Sequence, residues 1–340
     1  MTEQSNLLNS YNFARNSDFV FSEVVTKSQF YDLNLKNYTI LEETANFLFY
    51  KLNYLELKEN DVIFSHISIV ENLFNLLSNG GDLQNIKLIT SQSDKMINLK
   101  LFNKKPKCIK NWYSINVEHK NNKLYPIPLG IANNHSPKNL LVKDFKFNNK
   151  LNKLLDVSMY INFQKNTNLK ERMDIFDCFI NEDWVEIDQP NLELNLYKEK
   201  LKQHMFVLCP WGNGVDTHRI WETLYSGSIP ITKYHHTFSR LSGLPILFVD
   251  KYDEINLNKL NSFLHLNQNY SFDKLDISYW LSEIKKDVIV NKGLLNKSEN
   301  RFQTYIFYLK FKIKNIVNSK FKKKNVYLSK IKKFLNLLTK

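Results

Sequence analysis

Between residues 206 and 231 the chain reads Phe-Val-Leu-Cys-Pro-Trp-Gly-Asn-Gly-Val-Asp-Thr-His-Arg-Ile-Trp-Glu-Thr-Leu-Tyr-Ser-Gly-Ser-Ile-Pro-Ile. Residues 205–209 are apolar enough for a buried strand, 217–226 fit a helix, and 229–232 fit the next strand. The loop between them holds Gly212, Asn213, Gly214, Asp216 and Thr217, followed by Arg219 and Glu222 in the helix. Glycines let a backbone approach a ligand closely, and a helix N-terminus offers free N–H groups and partial positive charge. Arg219 has the fork geometry for a phosphate, and Glu222, one turn further along the same face, suits the hydroxyls of a ribose or sugar. The spacing is neither G-x-G-x-x-G nor G-x-x-x-x-G-K-[ST], so ordinary dinucleotide and nucleoside-triphosphate binding lose support. The plainer alternative is a glycine-bearing connection with an Arg–Glu pair on its helix.

The elements that would carry this loop repeat along the chain. Residues 61–66, 86–90, 108–115 and 124–131 read as strands, with a helical pattern at Ile69, Val70, Leu73, Leu76 and Leu77. After a polar stretch at 135–153, strands are expected at 155–163, 184–187, 205–209, 229–232 and 246–250. Helices are expected at 169–179, 194–203 and 217–226. Short apolar runs alternating with helical patterns imply an α/β fold built on parallel sheets. The chain divides into three segments: 1–150, 151–300 and a tail at 301–340. Ligands of open α/β sheets sit at the carboxyl ends of strands. That rule draws in Asp94, in the loop after strand 86–90, and His66, at the end of strand 61–66. Either could take a proton from an acceptor; Asp94 could equally cap a helix running through Met96, Leu99 and Leu101, and His66 could be a satisfied core histidine.

The order of residues at 206–231 resembles the donor-site segment of exostosin-like glycosyltransferases, in which a Pro-x-Gly loop leads into an Arg-x-x-Glu helix and a Gly-x-Ile-Pro strand. Tyr160-Ile161-Asn162-Phe163, Thr167-Asn168 and Glu171-Arg172 are similar to the opening of the same domain. The first half is weakly similar, through Ile89-Thr90-Ser91-Gln92-Ser93-Asp94, Trp112-Tyr113-Ser114-Ile115-Asn116 and Pro126-Ile127-Pro128-Leu129-Gly130. Thr223 and Ser228 depart from the residues common in the motif, and neither is a proposed ligand. The resemblance implies a GT-B fold: two Rossmann-like domains facing across a cleft, with the first on the acceptor side and the second binding the nucleotide-sugar. It implies transfer of a sugar from a nucleoside-diphosphate donor to a glycan acceptor, free or lipid-linked, usually with inversion, as in surface-polysaccharide assembly. Carried onto this sequence, Arg219 would hold the diphosphate, Glu222 the ribose hydroxyls, and Arg172 a second phosphate. The nucleotide-sugar would be a co-substrate, with no further cofactor. No Asp-x-Asp triplet occurs, which argues against the metal-dependent type of transferase. The competing class is a non-catalytic nucleotide-binding scaffold.

The formal net charge of +13 is concentrated at one end. Residues 301–340 hold 12 basic and no acidic residues, leaving 35 basic against 34 acidic in residues 1–300. Apolar residues are interleaved in the tail, and Tyr327, Ile331, Phe334, Leu335 and Leu338 have helical spacing. A basic helical extension of this kind can pack back on the body, lie on an anionic membrane or bind nucleic acid. The nearly neutral body makes nucleic acid the least favoured of the three. Three cysteines without a Cys-x-x-Cys pair fit a reducing compartment. With a polar start, no basic–apolar leader and no run of about 18 apolar residues, the expectation is a cytoplasmic protein, peripheral on a membrane if the tail reaches one.

Overall fold

The computed structural model describes residues 6–78, 83–147, 150–151, 156–266, 269–290 and 293–338, with side chains described as far as residue 320 except residue 319. The first half runs α1 (Ser10–Arg15), β1 (Phe19–Val25), α2 (Lys27–Asp32), β2 (Tyr38–Glu43), β3 (Leu48–Leu52), β4 (Tyr54–Lys58), β5 (Val62–His66), α3 (Val70–Leu77), β6 (Ile86–Ser91), α4 (Leu99–Phe102), β7 (Ile109–Ser114) and β8 (Leu124–Pro126). The second runs β9 (Met159–Ile161), α5 (Leu169–Arg172), α6 (Ile175–Phe179), β10 (Val185–Ile187), α7 (Leu194–Gln203), β11 (Phe206–Leu208), α8 (His218–Tyr225), β12 (Ile229–Lys233), β13 (Leu247–Val249), α9 (Leu257–Leu266) and α10 (Ile277–Ile284). The chain closes with β14 (Leu294–Ser298) and α11 (Arg301–Leu338).

Every residue of β5 and β6 is buried, as strands covered on both faces require. They lie at the centre of a seven-stranded sheet ordered β2-β3-β1-β5-β6-β7-β8. The run from β1 to β8 is parallel, while β3 pairs antiparallel with both β1 and β2. The second sheet has five strands ordered β10-β9-β11-β12-β13, all parallel. Its order reverses between β9 and β11, and that is where the crevice of such a sheet opens.

The two sheets share a core. Phe64, Ile89 and Tyr113 from the first belong to the same buried cluster as Tyr160 and Val207 from the second and Trp221 of α8. Trp280 of α10 joins it, and Leu7 bridges to Asp276. Next, β14 pairs antiparallel with β4, and Phe311 of α11 is buried in the core of the first sheet. The expected segment 151–300 is therefore not one packing unit to its end: from α10 onward the chain returns to the first half. The polar stretch at 135–153 is partly structured as well, with a buried Leu140 and a helical turn at Val142–Asp144 where described.

Two local expectations need correction. The helix expected to begin near Asp94 is only Leu99–Phe102, and its cap is Asn98, whose Oδ1 accepts from Leu101 N at 2.9 Å. The strand expected at 124–131 ends at Pro126, because the prolines at 126 and 128 remove ladder donors. Among the described residues no helix is long and apolar enough to cross a membrane.

Candidate functional site

Strand β11 is buried throughout, so the chain leaves the sheet at a fixed point, Cys209. Arg172, itself only 7% exposed, shapes the loop beyond that point. Its Nε donates to Trp211 O at 2.8 Å, Nη2 to Pro210 O at 2.9 Å and Nη1 to Gln164 O at 3.0 Å. The ring of Phe163 lies 5.2 Å below the guanidinium. Burial, and then the neighbouring Arg219, lower Arg172 to a pKa of about 10. Arg172 borders the cavity, where the resemblance implied a second phosphate contact, and it also braces the loop by two bonds to Pro210 and Trp211 while a third ties it to Gln164 beyond β9. Asn168 adds an Nδ2 bond to Gly212 O at 2.9 Å, and Gly212 N donates to Gly214 O at 2.9 Å.

The other side of the loop is held by the first half. Asn116, with a left-handed φ of 52°, accepts from Val215 N and Asp216 N at 3.0 Å each. A Cβ at position 214 would stand 2.8 Å from Asn116 Nδ2, so this contact between the halves itself requires Gly214. Asp216 accepts from Leu129 N at 2.8 Å and from Trp221 Nε1 at 2.9 Å, clamping the loop after β8 to α8. Burial raises its pKa to about 7 despite those two donors. His218 Nδ1 lies 2.7 Å from Gly130 O; since a carbonyl only accepts, the proton sits on Nδ1. Gly130 itself has φ 75°, and a Cβ there would meet Leu8 O at 2.1 Å.

These contacts surround a cavity of about 380 Å³, a volume suited to a small molecule. One wall comes from the carboxyl ends of β6 and β7 and the loop after β8, including Gln92, Asp94 and His135. The other comes from Thr167, Arg172, the loop 212–217 with Asn213 at its exposed tip, and the first turns of α8. Arg219 and Glu222 both line it. Arg219 Nη1 is buried and has no hydrogen-bond partner, as is Thr217 Oγ1 at the N-cap of α8, whose side chain makes no capping bond. The Arg219 guanidinium sits 5.1 Å from the Tyr197 ring centre. Burial lowers the pKa of Arg219, but the opposing charge of Glu222 and the nearby tyrosines and Cys209 together hold it above normal. Burial pushes the pKa values of Tyr160, Tyr197 and Cys209 up, so all three are uncharged at neutral pH. Glu222 Oε2 accepts from Tyr197 OH at 2.9 Å, and burial raises the carboxyl's pKa against the pull of Arg219. The arrangement sets a partly buried guanidinium with an unpartnered Nη1 on the same helix face as the Glu222 carboxyl.

Asp94 lines the cavity, is exposed, and makes no hydrogen bond or ion pair among the described residues. His66 is not among the lining residues. Its Nδ1 is engaged by Ser68 Oγ at 2.7 Å, its ring lies 4.3 Å from Phe49, and burial lowers its pKa to about 3. It is a core histidine. His135 stands on the wall where His66 was expected: it lines the cavity, its Nδ1 is buried without a partner, and burial lowers its pKa to about 4. Sequence reasoning gave no role to His135, Asn116 or Tyr197: Asn116 stands in a stretch of only weak similarity, Tyr197 on an ordinary helix, and a histidine in the stretch read as a polar linker was the one available signal. The three cysteines are all free. No protein-family model matches the chain, and no curated protein is significantly similar to it.

Proposed function

We propose that this cavity binds a nucleoside-diphosphate sugar and that the protein is a glycosyltransferase of exostosin-like, GT-B type, its two sheets forming acceptor and donor sides. The observation that carries the reading is Arg219: it lines a polar cavity at the reversal point of a parallel sheet, is partly buried, and has an Nη1 without a hydrogen-bond partner. An unpaired buried donor on a charged group is costly, and an anionic ligand removes that cost. The uncapped N-terminus of α8 adds partial positive charge at the same place.

In this mechanism the acceptor hydroxyl oxygen attacks the anomeric carbon from the face opposite the diphosphate. The new C–O bond forms as the anomeric carbon–phosphate oxygen bond breaks, inverting the centre. The hydroxyl proton passes to the carboxylate of Asp94, which is exposed on the cavity wall. The charge left on the diphosphate is held by Arg219 and the first-turn N–H groups of α8, in a site whose donors are already oriented. Glu222 accepts from ribose hydroxyls through the oxygen not taken by Tyr197.

Incubating the protein with a panel of nucleotide-sugars and following nucleoside-diphosphate release tests this. One donor should turn over, and Asp94→Asn should slow release at least about a hundredfold with donor affinity retained, as expected for loss of a general base. Tight donor binding without release or transfer to any glycan would make the protein a non-catalytic binder.

A further inference from the structure

Helix α11 presents two apolar faces. Phe307, Tyr308 and Phe311 pack on the core of the first sheet, with the Phe311 ring 5.7 Å from Phe49. The root of the helix is pinned there by the buried Lys51–Glu299 ion pair, the Lys51 Nζ lying 5.0 Å from the Phe307 ring centre. At about 100° per residue, Phe302, Tyr305, Leu309, Ile313 and Ile316 fall within an arc of about 80° on the side opposite Phe307 and Phe311. That second face is in water: Phe302 is 71% exposed, Tyr305 58%, Ile313 59% and Ile316 54%. After Lys312 every residue of α11 whose exposure is described, as far as Lys320, is exposed, so the helix has left the core of the first sheet by there; it runs on for about 40 Å from Lys312 to Leu338. An isolated helix with a water-facing apolar stripe is marginal, and a stripe of this size marks a docking surface. The sequence continues the same spacing through Tyr327, Ile331 and Phe334.

Charge selects the occupant. Lys310 and Lys312 flank the stripe on either side and Lys320 falls within it, and residues 301–340 carry 12 basic and no acidic residues. A second copy of the helix docking on the stripe would set 12 positive charges against 12 more with no carboxylate between them, and like charges in contact repel. Nucleic acid would satisfy the charge but leave the stripe in water. A bilayer surface containing anionic lipids satisfies both: the stripe enters the headgroup–acyl boundary while the lysines meet the phosphates.

We infer that α11 lies along an anionic membrane surface and holds the body there. The full chain should float with vesicles of phosphatidylcholine and phosphatidylglycerol, remain unbound with phosphatidylcholine alone, and be released by raised salt. Ile313→Gln with Ile316→Gln keeps the charge and the helix but removes part of the stripe; it should lower partitioning at least about tenfold. Replacing Lys310, Lys312, Lys314 and Lys320 by Gln should do the same, with the unfolding midpoint of both variants unchanged. Failure of the parent protein to float with anionic vesicles would overturn the inference. So would equal flotation of the Ile313/Ile316 variant, which would leave a polycation with nucleic acid as the better partner. A stripe-dependent dimer seen by light scattering without lipid would assign the face to a second copy instead.

Discussion

Replacing Arg172 by methionine removes three donors from carbonyls that have few other partners, while keeping the length of the side chain. Hydrogen bonds to a charged donor contribute about 1.5–3 kcal/mol each, and the three are not additive because they share one guanidinium. The contact with the Phe163 ring at 5.2 Å adds about 1 kcal/mol. Relief of the repulsion between Arg172 and Arg219 works the other way. The balance is a loss of about 3–4 kcal/mol, among the larger effects of a single substitution. Arg172→Lys should recover little, because an ammonium cannot reach the Pro210, Trp211 and Gln164 oxygens at once. Urea unfolding followed by tryptophan fluorescence measures this, since Trp211 and Trp221 flank the loop. Arg219→Met, measured beside it, should lose ligand binding with far less loss of stability, because its Nη1 holds nothing in the free protein. The reasoning fails if Arg172→Met unfolds at the parent's midpoint while donor binding disappears, or if Arg172→Lys restores the midpoint fully.

The same geometry sets three other outcomes. Gly214→Ala puts a methyl 2.8 Å from Asn116 Nδ2, and Asn116 is fixed by two backbone bonds, so a stability loss of about 1–3 kcal/mol is expected in thermal unfolding. The Asp216 carboxyl titrates near 7 in the folded chain against 3.8 in the unfolded one, so the native state holds the proton more tightly. Its contribution to stability is therefore undiminished below about pH 4 and lost progressively as pH rises to about 7, by up to about 4 kcal/mol. Unfolding free energies measured across that range should lose this slope in Asp216→Asn. Tyr197→Phe strips Glu222 of its donor and should lower stability by about 1–2 kcal/mol, with an added loss of donor affinity seen by calorimetry.

The strand–loop–helix–strand unit around Arg219 was legible because each boundary is local: an apolar run, two glycines and a helical pattern ended by Gly227. Helix α7 was legible at both ends for the same reason. The antiparallel β2–β3 pair was not, because β3 reads Leu-Phe-Tyr-Lys-Leu and is buried throughout, its lysine answered by Glu299 far along the chain. Periodicity cannot anticipate an ion pair across 248 residues. The site divides along the same line. Arg219 and Glu222 share one helix face, so spacing alone pairs them, whereas His135 reaches the cavity, and Asn116 the loop behind it, only through the tertiary fold. Arg172 was found in the stretch similar to the domain opening, but its bonds to Pro210, Trp211 and Gln164 show only once β9 and β11 lie side by side.

The central claim is that Arg219 awaits an anion in the cavity between the sheets. Titrating the protein with nucleoside diphosphates by calorimetry, with Arg219→Met in parallel, tests it most directly. The account predicts saturable binding of at least one nucleoside diphosphate, weakened at least about tenfold in the variant by loss of a charge-assisted contact. Equal affinity in the two proteins, or no binding of any nucleoside diphosphate by the parent, would contradict it.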